Sequence, residues 1–256
     1  MVIAIPIGTI HAFLLVLARV SGFLAFLPVP GLRSATDAVR VVLALSITFA
    51  LFPVWPVLPA TMPAISELAS QAFCELGLGL AAGITVSLLL EGFQLAAQIA
   101  GLQAGYGYAS TVDPSSEADS GVLQVVASLA TAIFFFTTGL DHQFIRVLSA
   151  SFEKFPAGSW PPALPGLEAS VIGLGAAMLS TGLRLALPIV ALLLLIDLAI
   201  ALVSRVQQQL QLLSLAFPGK MAAALALLAV LAPVVPKILA SEANRTLALL
   251  WRALGY

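Results

Sequence analysis

Long apolar runs, each interrupted by one or a few charges, dominate the chain. A bilayer-crossing helix needs about 20 mostly apolar residues. Six regions reach that length: 7–28, 39–59, 67–108, 121–152, 169–204 and 210–240. Several exceed a single span and few are clean. Arg19, Glu75, Glu91, Arg184, Asp197 and Lys220 fall inside or at the edges of apolar runs, while Pro53, Pro56, Pro188, Pro218, Pro233 and Pro236 interrupt others. Proline inside a spanning helix is tolerated where neighbours satisfy the carbonyls it frees. The pattern predicts an all-α protein of integral-membrane type.

The third run is the unusual one. No proline occurs between Pro63 and Pro114, and no polar turn divides the stretch. As one helix from Glu67 to Tyr106 it would be about 60 Å long at about 1.5 Å per residue, roughly twice the hydrocarbon thickness of a bilayer. Either it folds back at the Gly77–Gly83 cluster or part of it lies outside the membrane. The run also carries a polar and small band: Glu75, Gly79, Gly83, Ser87, Glu91, Gln94, Gln98, Gly101 and Gly105. Steps of three and four keep such positions on neighbouring parts of a helix surface. Small residues so spaced allow close helix packing in lipid, and the polar members alternatively face a water-filled path or a partner subunit.

Composition sharpens this. Of 256 residues, 61% are hydrophobic and only 9% charged, and mean hydropathy is +1.08, against about a quarter charged residues in soluble domains. The first base is Arg19, within the first apolar run, so the N-terminus lacks the basic n-region of a cleavable signal and reads as a retained first helix. Lys237, Arg245 and Arg252 against Glu242 favour a cytoplasmic C-terminus. A net charge of −1 offers nothing to nucleic acid. The lone Cys74 excludes an internal disulfide and every multi-cysteine metal site. His11 and His142 form no recognisable metal motif, and phosphate-cradle, HExxH and nucleophile-elbow motifs are missing. No catalytic, cofactor-binding or metal-binding residue is expected, and the chain does not read as an enzyme. Arg184 and Asp197, thirteen residues apart on one stretch, are ionisable groups in an apolar setting and so are functional candidates. Partners on other helices suit them better than each other.

One stretch breaks the apolar pattern most conspicuously: 101-GLQAGYGYASTVDPSSEADSG-121. Gly105 and Gly107 permit backbone conformations closed to other residues, and the residue before Pro114 is pushed toward extended geometry. The run 101-GLQAGYGYASTVDP-114 resembles the signature of the FliR family of flagellar biosynthetic proteins and its type III secretion (SctT) relatives. A second segment, 196-IDLAIALVSRVQQQLQLLSLAFPGKM-221, resembles that family's apolar run, Arg, Pro-Gln-Leu element and Phe-Pro. Arg205, Gln209, Leu210, Phe217 and Pro218 match, whereas Gln208 stands where the family usually has proline.

The resemblance implies one helical export-gate domain over 1–256, built of long helical hairpins similar to a fused FliP-plus-FliQ-like unit in a helical multi-subunit assembly. It implies FliP-like and FliQ-like partners, with FlhB-like and FlhA-like components associated, in the bacterial inner membrane at the flagellar basal body. Unfolded protein would be the substrate, membrane lipid the surroundings and nucleic acid no partner. It further implies that the segment from Tyr106 to Gly121 is a plug of the closed channel, its candidate residues being Gly105, Tyr106, Gly107, Tyr108, Ala109, Ser110, Thr111, Val112, Asp113 and Pro114. Glu75, Glu91, Gln94, Gln98, Arg184, Asp197 and Arg205 are candidates for packing or for facing the lumen. Alternatives are a virulence-type secretion subunit and a small-solute transporter or channel.

Overall fold

The computed structural model describes residues 6–26, 36–59, 61, 63–106, 122–159, 167–206 and 212–253, and every regular element among them is helical. In chain order these are α1 (Ile7–Phe26), α2 (Asp37–Ala50), a 3₁₀ turn (Phe52–Val54), α3 (Ile65–Ala104), α4 (Val122–Thr137), α5 (Leu140–Lys154), α6 (Leu167–Val206), α7 (Leu212–Leu231) and α8 (Val235–Ala253). Three described helices are long and apolar enough to cross a membrane: Ile7–Phe26, Ile65–Ala104 and Ile172–Arg205. Counting α4 with α5, and α7 with α8, as broken spans raises the number to five.

Local chemistry explains most boundaries. The 67–108 run does not fold back at its glycines, because α3 is one helix of 40 residues beginning after Pro63. It stops at Gly105, whose φ of +89° lies in the left-handed region. There the Gly105 amide donates to Leu102 O (3.1 Å) and the Tyr106 amide to Gly101 O (3.0 Å). This pair of bonds is the Schellman closure, which favours glycine because other residues are strained at that φ. The apolar 121–152 run divides at Gly139, also left-handed at φ +68°. Asp141 in the first turn of α5 and Lys154 in its last complement the helix dipole. The last long run divides at Ala232–Val234, where Pro233 has no amide to continue the helix. Pro188 and Pro218, by contrast, remain inside continuous helices. The apolar 39–59 run yields only the 14-residue α2 and the 3₁₀ turn, too short a helix to span.

The described helices pack as two compact units. The first comprises α1, α2, the 3₁₀ turn, α3 up to Leu88, α5, the start of α6 and the end of α8. Its buried residues include Leu15, Val16, Val20 and Phe23 of α1 and Phe144, Val147, Leu148 and Phe152 of α5. The second comprises the remainder of α3, then α4, most of α6, α7 and the start of α8. Its core cluster is Ala100, Ala104, Leu123, Ile189, Leu193 and Ala224, with Tyr106, Ile196 and Leu227 packed against it.

Candidate functional site

Among the described residues each unit holds a polar centre, and the two differ in kind. In the first unit, Arg19 projects from the buried face of α1 and Glu75 from α3, both 1% exposed. Arg19 Nε donates to Glu75 Oε2 at 2.6 Å. Its Nη2 donates to Phe155 O at 2.8 Å, its Nη1 to Ser151 Oγ at 3.2 Å, and the guanidinium lies 4.2 Å from the Phe152 ring centre. The other carboxylate oxygen of Glu75 accepts the Gly158 amide at 3.0 Å. Gly158 has φ +86°, and a β-carbon there would stand 3.1 Å from Leu15 Cδ1. One buried ion pair therefore joins α1, α3, the end of α5 and the turn that follows it. A buried pair is tolerated when additional bonds satisfy its remaining donors and lone pairs, and here they do.

Glycines make that pairing reachable. A β-carbon at Gly79 would run into the Arg19 carbonyl, one at Gly83 into the Phe23 carbonyl, and one at Gly22 into the Leu76 carbonyl. The α1 and α3 backbones thus touch one turn from the ion pair, the close approach that small residues permit in membrane helices. His11, also buried, extends the same seam by hydrogen-bonding through Nε2 to Gln71 Oε1 at 2.9 Å.

In the second unit, the Lys220 ammonium of α7 contacts both carboxylate oxygens of Asp197 on α6, Oδ1 at 2.8 Å and Oδ2, to which it donates, at 2.9 Å. Gln103 of α3 donates to the same carboxylate at 3.1 Å. Three residues further on, the Tyr106 hydroxyl donates to Met221 O at 3.2 Å. Burial pushes the Tyr106 phenol above its ordinary pKa, so it remains a neutral donor. The Asp197 side chain is 41% exposed against 12% for Lys220, so this centre is wetter than the first. Close backbone contact recurs here too: a β-carbon at Gly182 would lie 3.0 Å from Gly92 O and 2.9 Å from Leu95 Cδ2.

Set against the sequence candidates, the structure pairs Glu75 with Arg19 and Asp197 with Lys220 and Gln103, and Asp197 does not meet Arg184. Glu91 and Gln94 are partly buried, whereas Gln98, Arg184 and Arg205 are exposed. Gly105 and Tyr106 close α3; Gly107, Tyr108, Ala109, Ser110, Thr111, Val112, Asp113 and Pro114 lie outside the described residues. Sequence reasoning noted Arg19 and Lys220 only as charges in apolar runs and missed Gly158 and Gln103. The available signal for the first pair was spacing: Glu75, Gly79 and Gly83 lie four apart on α3, and Arg19 precedes Gly22 by three on α1. A charge one turn from small residues on each of two helices marks a crossing where the charges can meet.

These features define a polytopic helical membrane protein whose polar groups are organised by helix packing. Residues 10–246 match the family described as bacterial export proteins, family 1, and the chain belongs to that family. It is 31% identical over 221 residues to the flagellar biosynthetic protein FliR of Escherichia coli (strain K12), covering 86% of this chain and 83% of that protein. It is 26% identical to the same-named protein of Caulobacter vibrioides, covering 86% and 88%. To that of Bacillus subtilis (strain 168) it is 25% identical, covering 88% and 87%.

Proposed function

We propose that this chain is a membrane subunit of the flagellar type III protein-export gate. In this reading it assembles with FliP-like and FliQ-like subunits, and with FlhB-like and FlhA-like components, into the conduit for unfolded flagellar proteins in the bacterial inner membrane. It acts by gating, without chemistry of its own, as one helical export-gate domain over 1–256. The observation that carries the reading is the family match over nearly the whole chain together with flagellar relatives that match 86% and 88% of it.

The plug in this reading is the segment from Tyr106 to Gly121. Its support is the abrupt helix stop at Gly105 and the anchoring of Tyr106 on Met221 O, which give the segment a fixed root. Below that root, Gln103, Asp197 and Lys220 join three helices, so α3 ends on a braced position.

Two experiments test the proposal. Co-expression with FliP-like and FliQ-like proteins of the same organism, with a tag on this chain alone, is followed by detergent extraction and native mass analysis. A large complex holding all three is expected; the chain emerging alone and fully stable would shift the reading to a small-solute channel. In the assembled complex, shortening the segment around Ser110–Pro114 should make the envelope leak small solutes. Unchanged permeability with normal assembly would remove the plug assignment and leave the export reading standing.

A further inference from the structure

The longest exposed apolar face among the described helices lies on α6. Ile172, Leu179, Leu183, Leu187, Leu194, Leu198 and Leu202 are all exposed, between 49% and 72%. From the first to the last of them the helix rises about 45 Å at about 1.5 Å per residue, whereas bilayer hydrocarbon is about 30 Å thick. Covering it by tilt alone would need about 48°, outside the range of about 0–40° seen for spanning helices, so lipid alone does not cover the whole face.

Its middle is also not purely apolar. Arg184 is exposed between Leu183 and Leu187, and it makes no hydrogen bond or ion pair among the described residues. Four residues on, Pro188 lies inside the helix and has no amide to return to the Arg184 carbonyl. The same residue thus carries an exposed guanidinium and a backbone carbonyl that lacks its usual helical donor. Hydrocarbon satisfies neither group. Asp197, the nearest carboxylate along α6, is already held by Lys220 and Gln103. A lipid phosphate could reach Arg184 only with that residue within about one side chain's length of the headgroups, which would leave Ile172 and Leu179 at or beyond the edge of the hydrocarbon and still uncovered.

We infer that this face seats an apolar helix of a different subunit, which presents a carboxylate to the Arg184 guanidinium. A carboxylate is the acceptor that matches the planar fork of arginine with two parallel bonds, and an apolar helix is what the flanking leucines need. The inference rests on the assembly reading above only for which protein supplies the helix.

The test places a photoreactive amino acid at Leu187, and separately at Leu194, of the full-length chain in living cells with its native partners. The crosslinked peptide is then sequenced. The expected adduct is an apolar segment of another membrane protein with Asp or Glu within one helical turn of the attachment point. In a second arm, Arg184→Glu should lower co-purification of that protein at least tenfold and Arg184→Lys much less. Replacing the identified carboxylate by lysine should restore the Arg184→Glu variant, which distinguishes lost pairing from misfolding. Phospholipid adducts alone, a second copy of this chain, a peptide without a carboxylate, or full co-purification by Arg184→Leu would each overturn the inference. A carboxylate-bearing helix from a protein outside the export assembly would support it while refuting the export reading.

Discussion

Removing the Glu75 carboxylate should unfold the first unit far more readily than any single change at the second polar centre. In Glu75→Leu the Arg19 cation keeps Phe155 O, Ser151 Oγ and the Phe152 ring but loses its anion at a position 1% exposed. Breaking a buried pair from one side costs about 3–5 kcal/mol, because a desolvated charge remains. Arg19→Met leaves the carboxylate stranded in the same way and should fall in the same range. The double variant Arg19→Met with Glu75→Leu removes both charges, and its residual cost is the orphaned Phe155 carbonyl and Gly158 amide, about 1–3 kcal/mol each. The double variant should therefore be about as stable as either single one, which corresponds to a coupling about as large as one single cost, about 3–5 kcal/mol. The assay is unfolding in mixed micelles of rising SDS fraction, followed by tryptophan fluorescence. The chain's three tryptophans, Trp55, Trp160 and Trp251, all fall in the residue ranges of the first unit, so the signal reports the part perturbed. Single variants within about 1 kcal/mol of the parent, or effects that add in the double variant, would refute the reasoning that desolvation and mutual pairing dominate here.

Three further outcomes are expected. Gly79→Val and Gly83→Val should lose about 1–3 kcal/mol by overpacking against α1 backbone, while Gly77→Ala, which meets nothing within 4 Å, should be neutral or slightly stabilising; SDS unfolding of the set checks the contrast. Asp197→Asn should cost less than about 1 kcal/mol, since a pair this exposed is screened by solvent; the same titration, with a tryptophan introduced in α7, reads it. Gly105→Ala should cost about 1–2 kcal/mol, the penalty of a side chain in the left-handed region, seen as faster amide hydrogen exchange over the last turn of α3.

How much of this was legible beforehand depended on the range of the interaction concerned. Local rules marked Gly105 and Gly107 as positions of wide conformational freedom and expected the break only before Pro114; the structure puts the left-handed stop at Gly105 itself. Composition and run length fixed the membrane class. Periodicity placed Glu75, Gly79 and Gly83 on one face, but could not say which helix that face would meet. The Arg19–Glu75 pair spans 56 positions and the Glu75–Gly158 bond 83, distances over which a single sequence carries no register. The two readings of the 67–108 run were equally compatible with its glycines. The structure resolves them because Gly79 and Gly83 receive a neighbouring helix against their bare backbone rather than turning the chain. Pro188 and Pro218 were overread as breaks for the related reason that one missing amide can be absorbed within a packed helix.

The charges in the apolar runs now separate by what surrounds them, and that separation bears on how such a chain is used. Arg19 is matched on every side within its own unit, so its energy is spent on holding α1, α3 and α5 in one arrangement whatever lies outside. Asp197 is matched but half-exposed, and its carboxylate is shared by three helices immediately below the stop of α3. A small movement of any one of those helices would alter it. Arg184 is exposed with no partner among the described residues, on the face that lipid is too thin to cover. An unmatched charge in such a setting is unfavourable for the isolated chain and becomes favourable only on association, so it makes docking selective: the wrong helix leaves it unpaired, and the right one removes the penalty. A chain with the first kind of charge only would be a rigid free-standing membrane protein. One that also carries the third kind is built to be completed by another subunit.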